Sequence, residues 1–177
     1  MTDEPWKTQP PYQKPDQAFR KVLQGVCHCG KVKYWLSKDS PLASKYCHCN
    51  DCKVIHGNNS SSQPFSALSA VFSVFQKSDV AFQKGAENLR FYSSSAKSPD
   101  HELPCKVSCS HCGTPIMDEG RNMALLFPTL LLFPNAAQRK NFDVQCHIFY
   151  PQRVLDLPDG KPKWAGLDNK GNRVDET

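Results

Sequence analysis

The stretch KYCHCNDCKVIHG, residues 45–57, decides how the chain is read, because it packs three cysteines and two histidines into thirteen positions. A cluster this dense is either a structural metal knot short of one ligand or a metal site left open for chemistry. Asn50 is placed to cap a single helical turn, NDCKVIH, which Gly57 can end. On such a turn His56 follows Cys52 by four residues and could close a site of three thiolates with an imidazole. His48 points to the opposite side if its segment is extended. Three readings therefore stand side by side for Cys47, Cys49 and Cys52: an open three-thiolate site, a site closed by His56, and thiols without metal.

The other six of the nine cysteines narrow the choice. Cys27-x-Cys29 and Cys109-x-x-Cys112 are two short pairs far apart in sequence. Zinc takes four ligands in a tetrahedron, and two such pairs supply them when two strands come together. Cys27, Cys29, Cys109 and Cys112 are thus the most economical all-thiolate structural site, against the alternative of reduced thiols in a core. Cys105 and Cys146 have no spacing partner and read as small buried hydrophobes.

The 177 residues suit one domain with a core of its own. A net charge of +5 is spread along the chain without a dense basic run, which describes a solvated surface rather than a nucleic-acid footprint. The polar, Pro-rich start MTDEPWKTQPPYQKPDQAFRK lacks the apolar stretch of a signal peptide, and MALLFPTLLLFP (123–134) is too short for a membrane span. A cytoplasmic address is the expectation, with a nuclear one open, and reduced cysteines in such a compartment favour metal over disulfides.

The expected fold is mainly β: a small zinc-centred antiparallel fold with few short helical turns. Apolar residues alternate at Val32, Tyr34 and Leu36, and the runs SAVFSVFQ, DVAFQKG, NLRFYSSS, ALLF, TLLLF and VQCHIFY are short and bounded by turn residues. The organisation expected is an N-terminal arm (1–21), a zinc-binding domain (22–166) and a polar tail (167–177).

GVCHCGKVKY, YCHCNDCKVIHG, KGAENLRFYSSS, VSCSHCGTPI and CHIFYPQRVLDLPDGKPKWAG together resemble the glutathione-dependent formaldehyde-activating enzyme family, which also includes centromere-protein-V-like proteins. The resemblance covers roughly residues 22 to 166, with the cysteine motifs in family order and spacing. It implies a tent of small antiparallel sheets (a β-tent), a structural zinc at Cys27, Cys29, Cys109 and Cys112, and a second zinc at Cys47, Cys49 and Cys52 beside the substrate. The family's reaction condenses formaldehyde with glutathione to S-hydroxymethylglutathione, a carbon–sulfur lyase reaction in reverse.

The chain departs from bacterial members after the CxxCG motif, where MDEGRNMALLFPTLLLFPNAAQRKNF is longer and more apolar, closer to a fungal-type branch. Leu125, Leu126, Phe127, Leu130, Leu131 and Phe133 there would either wall a pocket for a bulkier, less polar substrate or pack in the core. A proton carrier beside the second zinc is sought among His48, Asp51, His56, Asp118, Glu119 and Arg121, with His56 and Glu119 put first. The expected partner is a small-molecule thiol, glutathione foremost, with no membrane or nucleic acid; a homodimer is an allowed assembly. The rival readings are a non-catalytic zinc-binding interaction module and a metal or thiol buffer.

Overall fold

The computed structural model describes residues 5–56, 70–168 and 170–174. Its strands in chain order are β1 (Leu23–Val26), β2 (Lys33–Leu36), β3 (Ala43–Cys47), β4 (Ala70–Gln76), β5 (Val80–Lys84) and β6 (Leu89–Tyr92). They continue with β7 (Cys105–Cys109), β8 (Pro115–Glu119), β9 (Met123–Leu126), β10 (Leu131–Leu132) and β11 (Cys146–Ile148). Two short helices complete the set, α1 (Asn50–His56) and α2 (Ala136–Lys140). The protein is mainly β, as expected.

The chain divides into two compact units, each made of two separated segments: Met1–Leu42 with Ser73–Phe142, and Ala43–Phe72 with Asp143–Thr177. In the first unit β10, β1, β2 and β5 lie side by side, all antiparallel. A second antiparallel run orders β9, β8, β7 and β6, with the Ser73–Gln76 end of β4 paired to β9. Period-two alternation drives this arrangement: Val32, Tyr34 and Leu36 are fully buried while Lys33 and Trp35 face outward. Leu126 and Leu131 belong to the same core, which is why the apolar segment after the second cysteine pair forms β9 and β10. At those two positions, core packing is the outcome.

Close approach decides one glycine. At Gly25 a Cβ would fall 2.0 Å from the Tyr34 ring, so only glycine lets that aromatic side chain lie across β1.

The residues before β1 are tied into the first unit. Tyr12 is buried, the Phe82 amide donates to the Gln13 carbonyl at 3.0 Å, and Trp6 packs edge-on against Phe91. Trp6, Phe91 and His101 also line a cavity of about 560 Å³.

The second unit is built differently. Its strands β3 and β11 pair in parallel, with Lys45, Tyr46 and Cys47 opposite Cys146, His147 and Ile148. The other edge of β11 is taken up by residues 162–164: the His147 amide donates to the Pro162 carbonyl and the Trp164 amide to the His147 carbonyl. The helical turn read from NDCKVIH is α1, residue for residue. The Gly57 stop and the first residue of SAVFSVFQ, Ser69, lie outside the described residues.

Candidate metal and thiol site

In the first unit, Cys27 and Cys29 sit in the turn after β1, while Cys109 ends β7 and Cys112 lies in the turn that follows it. Each turn is closed by a glycine in the left-handed region, Gly30 at φ +73° and Gly113 at φ +72°. The Gly30 amide donates to the Cys27 carbonyl and the Gly113 amide to the Cys109 carbonyl, both at 2.9 Å. These two knuckles bring all four sulfurs within 4.8 Å of one another.

Two of the edges are 3.5 Å, from Cys27 to Cys29, and 3.8 Å, from Cys29 to Cys109. A tetrahedron with Zn–S bonds of about 2.3 Å has edges of about 3.8 Å, so the donor set fits a zinc ion in type, number and spacing. The Val32 amide donates to the Cys27 sulfur at 3.2 Å. Burial opposes ionisation of Cys112, but the hydroxyl and amide of Thr114 outweigh it and bring that thiol down to about 5.

In the second unit, β3 delivers Cys47, the turn after it carries Cys49, and the first turn of α1 carries Cys52. Their three sulfurs lie within 4.8 Å of one another, and among the described residues this mutually close group stops at three. His56 comes within 4.8 Å of the Cys52 sulfur one helical turn on, but does not join the group. Cys47 and Cys52 are buried, whereas Cys49 is half-buried and gives the cluster its accessible side. The Cys49 thiol first and burial after it push Cys47 up to about 12, against a lowering hydrogen bond with Cys52.

The candidate proton carriers sit in contrasting surroundings. Asp51 is exposed on α1 and Arg121 is exposed before β9. Asp118 is nearly buried on β8 and accepts from Lys106 at 2.6 Å. Glu119, also on β8, is 2% exposed and accepts from Tyr12 Oη at 2.5 Å, Lys77 Nζ at 2.6 Å and His101 Nε2 at 2.7 Å. Burial alone would raise its carboxyl, yet those donors, His101 foremost, hold it below the usual carboxylate range. Cys105 lies against the same carboxylate at 3.9 Å, and burial pushes its thiol up to about 12.

His48 is fully buried, and its Nε2 lies 2.9 Å from Nδ1 of His147. His147 is also fully buried, and its Nε2 lies 3.0 and 3.1 Å from the two carboxylate oxygens of Asp159. Burial pulls His48 down to about 4, with help from His147 and Lys53, and lowers His147 as well, so both rings are neutral near pH 7. Nδ1 of His48 is buried with no hydrogen-bond partner among the described residues. A polar nitrogen left in that state costs on the order of 1–3 kcal/mol.

Tyr46 stacks on His147 at 4.9 Å and Tyr150 meets it edge-on at 5.3 Å, fixing the plane of the ring. Asp159 forms part of the wall of a cavity of about 320 Å³ with Tyr46, Leu157, Pro158 and Lys161. Neither His147 nor Asp159 is suggested by motif spacing: 99 positions separate the two histidines. The only local hint is that His147 sits in a strand-like run, where alternate residues turn inward.

The fold and clusters define a β protein with a four-cysteine and a three-cysteine group that could each hold a metal ion. The model of the glutathione-dependent formaldehyde-activating enzyme family matches residues 22–152, and the chain belongs to that family. A solved Rhodobacter sphaeroides protein is similar at 21% identity over 68% of this chain and 96% of its own, with a TM-score of 0.48. No curated protein matches. Among the described residues no helix is long and apolar enough to cross a membrane.

Proposed function

We propose that the protein is a zinc-dependent enzyme of carbon–sulfur bond chemistry, a lyase in the reverse sense, acting on a thiol or a glutathione adduct of formaldehyde type. The observation that carries this reading is the three-sulfur group of Cys47, Cys49 and Cys52, one ligand short of a closed tetrahedron and half-accessible at Cys49. Family membership supports glutathione and formaldehyde as the first substrates to try. The four-sulfur group of Cys27, Cys29, Cys109 and Cys112 is assigned a structural zinc, giving two ions per chain.

A zinc ion bound by the three thiolates would let an incoming thiol shed its proton and be held as a thiolate at neutral pH. The chain's own groups do the remainder. Cys47 and Cys52 anchor the site from β3 and α1, and Cys49 borders the side from which a thiol enters. His56, within 4.8 Å of the Cys52 sulfur, is assigned uptake of the thiol proton on the strength of that proximity. Glu119, with its carboxylate engaged by three donors in the first unit, is assigned an anchoring role there. Burial of Leu126 and Leu131 removes those two side chains as grounds for a bulkier substrate. A reducing, cytoplasmic setting suits these free cysteines.

The test is elemental metal content together with conversion of glutathione and formaldehyde, followed by NMR, for the parent and for Cys47→Ala, Cys49→Ala and Cys52→Ala. Two zincs per parent chain, conversion above the spontaneous rate and its loss in all three variants are expected. Conversion at full rate in the variants would sink the open-site reading.

A further inference from the structure

We propose that the cavity bordered by Trp6, Phe91 and His101 in the first unit binds the quaternary ammonium group of a small organic cation. None of the nine cysteines lines this cavity, so the site stands apart from the cysteine groups and from the thiol chemistry assigned to them.

The walls are aromatic and lie in different planes. Trp6 and Phe91 meet edge to face, with centroids 4.9 Å apart and planes 77° apart. His101 adds a third ring, 4.8 Å from Trp6 and 4.7 Å from Phe91, its plane 69° from that of Phe91. Together they make a corner, which suits a rounded group better than a flat one. The face of an aromatic ring is its negative part and attracts a cation within about 6 Å of the centroid, Trp most strongly. The chain already supplies one example. The Lys7 ammonium, which borders the same cavity, lies over the Trp6 ring at 5.4 Å.

Charge points the same way. Glu87 and Asp100 bring two carboxylates to the lining against the single ammonium of Lys7. An anionic ligand is therefore disfavoured and a cationic one attracted. Both carboxylates already accept a hydrogen bond, Glu87 from the Asn88 side-chain amide at 3.1 Å and Asp100 from the Ser98 hydroxyl at 2.5 Å. What they keep for a ligand is mainly charge, which matches a quaternary nitrogen with no N–H to donate. The volume of about 560 Å³ falls within the range of about 300–1,000 Å³ usual for small-molecule sites.

The corner is held from behind. Tyr12 packs against Trp6 at 4.7 Å, and His101 Nε2 lies 2.7 Å from the buried Glu119 carboxylate. Phe91 is fixed on β6, opposite Val107 of β7. A ligand thus meets rings that are already in place, and little ordering opposes its binding. Trp6 and Lys7 precede residues 22–152, so this wall lies outside the part of the chain that the family model matches.

Calorimetry on the full zinc-loaded chain tests the site with choline and with its neutral tert-butyl analogue, in which carbon replaces the quaternary nitrogen. Choline is expected to bind at least about tenfold more tightly than the analogue. Phosphocholine, which sets a phosphate beside the same ammonium, is expected to bind more weakly than choline. Trp6→Ala should weaken choline by about tenfold, and Lys7→Gln should strengthen it by about threefold, because a competing ammonium is gone. A gain in the second variant is a result that damage to the fold does not produce.

Equal affinity for choline and its neutral analogue overturns the proposal, as does the absence of choline binding. Phosphocholine binding more tightly than choline overturns the assignment of the carboxylates. Choline affinity unchanged in both variants puts the cation somewhere other than this corner and overturns the site.

Discussion

The four-cysteine group of the first unit and the three-cysteine group of the second use the same side chain to opposite ends. In the first, two glycine-closed knuckles gather four sulfurs within 4.8 Å of one another, enough to fill every corner of a tetrahedron. In the second, the end of a strand and the first turn of a helix present three, with a buried histidine chain alongside. Completeness makes a site part of the folding free energy, and incompleteness makes it a place for a ligand. What separates the two is the number of sulfurs their turns bring together.

The largest expected effect comes from breaking the complete site. Cys109→Ala or Cys112→Ala should collapse soluble yield and the thermal transition, because the zinc proposed there would contribute its binding energy to folding. A soluble protein with unchanged melting temperature would contradict the assignment. Next, Cys47→Ala, Cys49→Ala or Cys52→Ala should abolish turnover and remove about one zinc while leaving the circular dichroism spectrum intact. Mild chelation should sharpen the same contrast, removing the second ion first and with it the activity; simultaneous loss of both ions would argue that the sites do not differ.

A smaller effect separates stability from chemistry within the first unit. Glu119 has its carboxyl pKa depressed below 4.5, so the stability it contributes is complete above that pH and fades as pH falls through its lowered value. Glu119→Gln should cost about 1–3 kcal/mol at pH 7, by removing the negative charge and one of the two oxygens that accept from Lys77, Tyr12 and His101, and should flatten the acid limb of a melting-temperature profile. Turnover per folded molecule should stay unchanged, and a fall in that number would return Glu119 to the chemistry. The smallest effect is Tyr12→Phe, which removes one donor to the same carboxylate and should lower stability by about 1 kcal/mol in chemical denaturation. Glu119 keeps two other donors, so no change at all would show the buried hydroxyl to be idle.

Much of this could be read from the sequence where the determinants are local. The helix α1 emerged from seven contiguous residues, and the alternation of Val32, Tyr34 and Leu36 located β2 and its buried face. The cysteine sets were legible because metal ligation demands short spacings within each pair. What escaped depends on pairing across long stretches. The parallel register of β3 and β11 sets His147 opposite Tyr46, and only that register brings an imidazole to His48. Likewise the donors to Glu119 come from Tyr12, Lys77 and His101, three segments with no motif in common. The apolar residues after the second cysteine pair left two outcomes open because hydrophobicity alone does not distinguish a pocket wall from a core.

The interleaved segments set an order of events during synthesis. The four-sulfur knot becomes possible once Cys112 has left the ribosome, when the partners of β11 still have no strand to pair with. The second unit needs Ile148 before β3 can gain its parallel neighbour, a pairing about a hundred residues apart. Through that interval Cys47, Cys49 and Cys52 are carried on a nascent chain whose surrounding unit is not yet assembled. A cell making this protein must therefore keep those thiols reduced through most of translation, so the assembly of the three-cysteine group depends on the thiol poise of its surroundings.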